Sequence, residues 1–336
     1  MHMKLKGVQL LLFFICIIAT VSCGSDDDTN VGNNHENGTK EIPISRLTLT
    51  KNSAIIAIGD TIHLSCVITP ANATTKEILW SSQKPSIAVV SDEGIVTALA
   101  EGDCEIYAKA EGYTWLETCK LHIINPDIYQ AVDLGLPSGT KWGTKNLYYE
   151  FNGTDTPFAW AEISRKEIYY WGYYKWCNEV VGHYNLRKYC SQDKLNELKE
   201  EDDAAYIYGA HKWRTPSKAE FQELIDNCTW TYEDLSYTDN NRHKDITYGR
   251  YKVTGPNGNS IYFGLDGEHY SNKRERYGEI GVYWTREIAD ENLVNKNTPG
   301  DDPYRYACVL EINKGHYTIE AWARFYGILI RPVRIK

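Results

Sequence analysis

In Thr61-Ile62-His63-Leu64-Ser65-Cys66-Val67-Ile68, the residues Ile62, Leu64, Cys66 and Ile68 alternate with Thr61, His63, Ser65 and Val67. A period of two lines one face of a half-buried strand, whereas a helical face needs spacings of three and four. The same alternation recurs at Cys104, Ile106 and Ala108, and again at Cys119, Leu121 and Ile123. Turn residues such as Gly59-Asp60, Pro70, Pro85, Gly94 and Gly102 separate the runs every eight to twelve positions. This pattern predicts a β-sandwich over residues 41–125 with its three cysteines pointing inward. Cys66 is open to pairing with Cys104 or with Cys119, and an odd number of inward cysteines leaves at least one as a small buried thiol.

The residues that carry these runs also match a known pattern in order. Ile44-Ser-Arg-Leu-Thr-Leu49, Gly59-Asp-Thr61, Thr69-Pro-Ala-Asn-Ala-Thr74, Ile78-Leu-Trp-Ser-Ser82, Pro85-Ser-Ile-Ala88, Gly94-Ile-Val-Thr-Ala98 and Glu101-Gly102 resemble the bacterial Ig-like domain of group 2. The resemblance implies a stalk or spacer in a surface protein and places Trp80 in the sandwich core.

Working toward the N-terminus, Lys4 and Lys6 precede the apolar run Leu10 to Ala19, which ends in Thr20-Val-Ser-Cys23. Ten apolar residues are half of the roughly 20 that span a bilayer, so residues 1–22 read as a secretion signal. The ending resembles the lipobox of bacterial lipoproteins, although Thr20 stands where an aliphatic residue is usual. That resemblance implies an acylated Cys23 as the mature N-terminus and a lipid anchor in the membrane. The acidic run Gly24-Ser-Asp-Asp-Asp28 resembles the export signal of surface-exposed lipoproteins and implies an outer-membrane protein facing the exterior. Residues 23–40 are otherwise polar and read as a flexible tether. Asp26, Asp28 and Asn30 imitate the start of a calcium loop, but Val31 and Asn37 stand where its glycine and glutamate belong.

Toward the C-terminus the composition changes. Of 25 tyrosines all but Tyr107 and Tyr113 follow residue 125, as do all of the ten tryptophans but Trp80 and Trp115. Residues 126–336 read as a second, α+β domain. Hairpins are expected around Pro137-Ser-Gly139 and Pro256-Asn-Gly258. A helix is expected to start at Thr215-Pro216 and to bury Phe221, Leu224, Ile225 and Cys228, and an earlier one from about Asp193 to Tyr206, re-capped near Asp202-Asp203. The last strand, Gly327 to Ile335, carries Pro332 and so belongs at an edge or a bulge.

Val132-Asp-Leu-Gly-Leu-Pro-Ser-Gly-Thr-Lys-Trp142, Phe158-Ala-Trp-Ala-Glu162, Trp213-Arg-Thr-Pro-Ser-Lys-Ala-Glu-Phe-Gln-Glu-Leu224, Gly281-Val-Tyr-Trp284 and Arg331-Pro-Val333 resemble the FISUMP-type major paralogous domain of bacterial lipoproteins, a relative of C-type-lectin-like folds. The resemblance implies a domain whose N- and C-terminal strands pair, with extracellular binding as its role. The expected chain is therefore multidomain: an all-β Ig-like sandwich followed by an α+β C-type-lectin-like domain.

The chain has 336 residues and a net charge of −9 with lysine and arginine scattered, so nucleic acid is not an expected partner. No G-x-S-x-G, H-E-x-x-H, C-x-x-C or phosphate loop occurs. No enzyme activity, cofactor or metal is expected. His183, His211, His243, His269 and His316 lie far apart, and Asp301-Asp302 reads as a solvated loop. The expected partner is a glycan or an extracellular protein, met by aromatic side chains that stack at low entropic cost. Candidate ligand-binding residues are Trp171, Tyr173, Tyr174, Trp176, Tyr304, Tyr306, Trp322 and Arg324, in the run Tyr169 to Trp176 and near the C-terminus. The alternatives are a structural component of a surface complex and an enzyme acting on polysaccharide through a carboxylate pair.

Overall fold

The computed structural model describes residues 41–125, 127, 129–147, 155–180, 183–239 and 244–336; the signal segment, Cys23 and the tether lie outside them. The first region is entirely β: β1 (Arg46–Leu49), β2 (Ser53–Ala57), β3 (Thr61–His63), β4 (Cys66–Thr69), β5 (Ile78–Ser82), β6 (Ala88–Val90), β7 (Ile95–Ala98), β8 (Gly102–Ala110) and β9 (Glu117–Ile124). They form a four-stranded sheet in the order β2-β9-β8-β5, a three-stranded sheet β3-β7-β6 and the pair β1-β4. Leu64, Val96, Cys104, Ile106, Cys119, Leu121 and Ile123 fill the space between them. Each large aliphatic side chain removed from water there contributes roughly 1.5–3 kcal/mol. The alternation read from the sequence is the alternation observed, and Trp80 packs half-buried against this core. Gly94 is required beneath it: φ is +79°, and a Cβ would stand 2.5 Å from the Leu64 carbonyl and 2.9 Å from the Trp80 ring.

Neither cysteine pairing forms. All seven described cysteines are free thiols, Cys104 and Cys119 buried and Cys66 half-buried. Burial pushes the Cys66 thiol up to about 11, which suppresses the thiolate that would react.

The second region adds β10 (Ala131–Asp133), β11 (Lys141–Gly143), β12 (Cys177–Val180), β13 (His183–Leu186), α1 (Ala204–Tyr208), β14 (Trp213–Arg214), α2 (Lys218–Asn227), β15 (Thr229–Asp239), β16 (Lys244–Thr254), β17 (Ser260–Gly264), β18 (Glu268–Tyr270), β19 (Lys273–Glu275), β20 (Ile280–Ile288), α3 (Glu291–Asn297), β21 (Tyr306–Asn313), β22 (His316–Ala323) and β23 (Val333–Arg334). Its centre is the antiparallel sheet β20-β21-β22. On one face Val282, Trp284, Ala307 and Val309 join Phe158, Trp160, Trp213 and Ile328. On the other, Tyr283, Cys308, Leu310 and Ile312 join Trp142, Phe221, Leu224 and Phe263. A sheet covered on both faces loses the apolar-polar alternation, which is why β20 reads as a continuous run. Ala57 and Ile124, at the ends of β2 and β9, belong to the first of these clusters, so the base of the sandwich is packed into the second region.

Both expected hairpins are present, β10-β11 with Gly139 at φ +71° and β16-β17 with Gly258 at φ +85°. The N-terminal hairpin pairs with the C-terminal strand through Trp142 and Val333. Three expectations need correction. The helix from Asp193 to Tyr206 shrinks to α1, because the Asp193 carboxylate accepts from the N–H groups of Tyr189, Cys190 and Leu195 and closes a turn instead; the re-capping at Asp203 is observed. The second helix is capped by Ser217 rather than Thr215, since Ser217 and Glu220 form a reciprocal capping box, while the Thr215 hydroxyl donates to Asp203 at 2.6 Å. The terminal strand is two residues long and lies inside the sheet β10-β11-β23-β14 rather than at its edge. Pro332 is accommodated just before it, its carbonyl accepting from Gly143. The described chain is thus mostly β with few helices, and none of its helices is long and apolar enough to cross a membrane.

Candidate functional site

The run Tyr169 to Trp176 is split by its own backbone. Around a short 3-10 turn at Trp171–Tyr173, Tyr169, Trp171 and Tyr174 face inward while Tyr170 and Tyr173 face out, the last at 62% exposure. The inward hydroxyls are consumed by backbone: Tyr169 donates to Pro157 and Tyr174 to Trp160, each at 2.7 Å. Burial raises both phenols.

Arg324 is wholly buried. Its guanidinium donates to the Tyr174 hydroxyl at 2.9 Å and to the carbonyls of Tyr189, Tyr304 and Lys188 at 2.7, 2.8 and 3.2 Å. It lies over the Trp160 and Tyr174 rings at 4.9 and 5.1 Å. Trp171, Tyr174 and Arg324, expected at a ligand, are therefore corrected to core residues: a buried guanidinium needs several acceptors, and two backbone segments and the Tyr174 hydroxyl converge to supply them. Trp176 is half-buried, its indole N–H donated to Ala161, with Lys175 and Lys188 over its ring. Tyr304 and Tyr306 are half-buried, and the Tyr306 hydroxyl is held by Asp301 at 2.6 Å. Asp301 also accepts from Arg305, and Asp302 caps the turn at Tyr304. Burial opposes ionisation of Asp301, yet the Tyr306 hydroxyl and its other donors hold its carboxyl below the usual range. Both carboxylates are engaged locally, and no group of three or more possible metal ligands occurs among the described residues.

Of the expected residues, Tyr173 is exposed and Trp176, Tyr304, Tyr306 and Trp322 are half-buried. Of these five, Trp322 stands at the end of a continuous array of rings that the buried Trp171 meets through Tyr184 and Phe325. The Trp322 ring meets Tyr326 at 5.1 Å, Tyr326 meets Tyr270 at 5.6 Å, Tyr270 meets Tyr170 at 6.4 Å and Tyr170 meets Tyr184 at 6.1 Å. Phe325 lies buried against Tyr326, Tyr270 and Tyr170 at 4.5 to 6.0 Å and supports the row from within. Tyr170 is 38% exposed, and the other four rings are half-buried, packed on one side against the core. Four separate stretches build this ledge: β22 with its following turn, β18, the loop at Tyr170, and β13. Tyr184 and Tyr270 escaped the sequence reading because each stands in a short segment with no neighbouring ring to flag it.

Polar groups flank the ledge. Arg276 lies over the Trp322 ring at 4.9 Å and donates two hydrogen bonds to one oxygen of Glu268. Glu268 is 3% exposed, and its second oxygen has no partner among the described residues. Burial raises its carboxyl, against the pull of Arg276.

Comparison with known proteins identifies the first region. Residues 43–111 match the bacterial Ig-like domain, group 2. An uncharacterized protein of Clostridium acetobutylicum is 30% identical over 117 residues, 34% of this chain and 29% of that protein. A second from the same organism is 32% identical over 122 residues, 36% of this chain and 12% of that protein. The chain thus spans under a third of the curated relatives it matches. Among solved structures, domains 4 and 5 of the S-layer protein SbsC overlay on 24% of this chain and 51% of their own at TM-score 0.21 and 16% identity. Domains 5–6 of the same protein overlay on 66% and 96% at TM-score 0.22 and 12% identity; overlays this loose carry no argument about fold or role.

Proposed function

We propose that the chain is a surface lipoprotein, anchored in the outer membrane through Cys23, whose residues 126–336 bind a glycan or an extracellular protein. On this reading the Ig-like sandwich holds the binding region away from the membrane, and the second region is a FISUMP-type, lectin-like domain that acts by recognition rather than catalysis. The observation that carries the proposal is the ledge. Five rings from four chain segments form one row that is only partly buried, although burying it fully would yield more stability. Flat amphipathic rings with a guanidinium at one end suit the faces of sugar rings or an aromatic protein partner.

The test is a binding array of neutral and acidic glycans and matrix proteins, probed with the full chain and with Tyr270→Ala and Tyr326→Ala. Central rings of an interface cost on the order of tenfold or more in affinity when truncated, so both variants should lose their hits. Hits that survive both substitutions, or a blank array, would sink the proposal; a stoichiometric membrane partner indifferent to both would point to assembly instead.

A further inference from the structure

Next to the ledge lies a concavity of about 290 Å³ lined by Asp155, Asp266, His269, Arg274, Tyr277 and Gly327. Its lining residues His269 and Gly327 pair with one another in an antiparallel bridge, and each stands one position along the chain from a ledge ring, Tyr270 and Tyr326. The chain makes room for it with glycines. At Gly327 a Cβ would stand 2.7 Å from the Tyr169 ring and 2.8 Å from His269, and at Gly264 it would stand 2.3 Å from Asp266 Oδ2. Side chains at these positions would close the pocket or expel its carboxylate.

The polar groups facing this space are mixed. Asp155 Oδ2 accepts from Asn146 at 2.6 Å, and Asp266 Oδ1 accepts from Arg274 at 3.1 Å. A carboxylate has about four lone-pair sites, so each can accept further donors besides these bonds. Burial first, and then Asp155, raises the Asp266 carboxyl, while Arg274 and the buried Arg331 pull it down. Arg274 stacks on Tyr277 at 4.1 Å and donates to the Asp266 carbonyl. Burial and the nearby arginines push His269 down to about 4, so at neutral pH it is an uncharged imidazole with one donor and one acceptor.

These groups discriminate between ligand classes. An anion would meet two carboxylates. A metal cation would find two carboxylates beside the Arg274 guanidinium, and no set of three ligands occurs among the described residues. What fits is an uncharged molecule rich in O–H donors: adjacent hydroxyls of a pyranose can each donate to one carboxylate oxygen while a ring or hydroxyl oxygen accepts from Arg274. The volume suits one sugar unit rather than a larger ligand.

We propose that this pocket holds one residue of a neutral oligosaccharide whose neighbouring units stack along the ledge, and that its paired carboxylates exclude uronic and sialic acids. The inference rests on the ledge being the ligand-binding surface and narrows its ligand to neutral sugar.

The test is calorimetric titration of the full chain with cellopentaose, mannopentaose, xylopentaose and chitopentaose against tetragalacturonate. At least one neutral probe should bind, with tetragalacturonate weaker by on the order of tenfold or more. Asp155→Asn should weaken the neutral probe by about tenfold, the loss expected when a hydrogen bond to a charged acceptor becomes one to a neutral amide. Arg274→Ala, at a half-exposed position and so less apt to disturb folding, should weaken it as well. Tetragalacturonate binding as tightly as the neutral sugars, neutral binding unmoved by both substitutions, or binding abolished by a chelator and restored by calcium would each overturn the pocket assignment. A protein ligand lost on Tyr270→Ala but indifferent to Asp155→Asn would also overturn it, while leaving the ledge as the binding surface.

Discussion

The sandwich and the region after it use aromatic residues in opposite ways. Among the described residues the sandwich has four rings from tyrosine and tryptophan, Trp80, Tyr107, Tyr113 and Trp115, and a core that is almost wholly aliphatic. The second region packs Trp142, Trp160, Trp213 and Trp284 into two cores on either side of one sheet and still has rings left for a half-exposed ledge. A small two-layer sandwich closes with aliphatic side chains of matching size. A sheet covered on both faces by irregular chain leaves wide gaps that large rings fill. Two of these tryptophans also satisfy backbone carbonyls, Trp160 that of Thr285 and Trp284 that of Phe158, while the indole N–H groups of Trp142 and Trp213 have no partner among the described residues. Aromatic abundance therefore marks the second region as a whole, and only position within it separates support from surface.

That contrast can be broken first at Arg324. If it is a core strut, Arg324→Ala strands three carbonyls and the Tyr174 hydroxyl and should cost about 3–5 kcal/mol, the range for disrupting a buried charged network. Chemical denaturation measures this, and unchanged stability would return Arg324 to the list of ligand contacts. The next largest effect is in the sandwich. Leu64→Ala removes a fully buried side chain and should cost about 2–4 kcal/mol by the same measurement; a smaller loss would mean the aliphatic core can collapse around the gap.

A pH series sharpens the comparison at Glu268. Its carboxyl is raised in the folded protein above the ordinary 4.5, so the folded state binds the proton more tightly than the unfolded one. The stability this contributes is fully present below 4.5 and is lost as pH rises through the folded value. Relative to Glu268→Gln, the wild type should gain stability as pH falls through that window, and parallel melting curves at each pH would refute the orphaned-carboxylate account. The smallest effect is expected at Tyr173, which is exposed and outside the ledge: Tyr173→Ala should shift stability by less than about 0.5 kcal/mol, as surface changes do.

Much of the local structure was legible. The sandwich strands, the hairpins at Gly139 and Gly258 and the buried stripe Phe221-Leu224 follow from periodicity and turn chemistry that act over a few residues. The misses share a cause. Asp193 had the composition of a helix start, but its carboxylate found three backbone N–H groups in a turn. Thr215 had the look of a cap but was drawn to Asp203, leaving the role to Ser217. In both, a side chain had a competing partner, backbone N–H groups for Asp193 and the Asp203 carboxylate for Thr215, and packing decided between them.

By itself, the sequence determined which residues alternate, where the chain turns, and that the aromatic residues gather after residue 125, because strand period and turn geometry are properties of neighbours along the chain. The tertiary structure alone decided that Arg324 is a strut, that Tyr170, Tyr184, Tyr270, Tyr326 and Trp322 form one row, and that Asp155 and Asp266 share a pocket. These groups are separated by up to more than a hundred positions. Their juxtaposition depends on how two faces of a central sheet are covered, and no local signal carries that information.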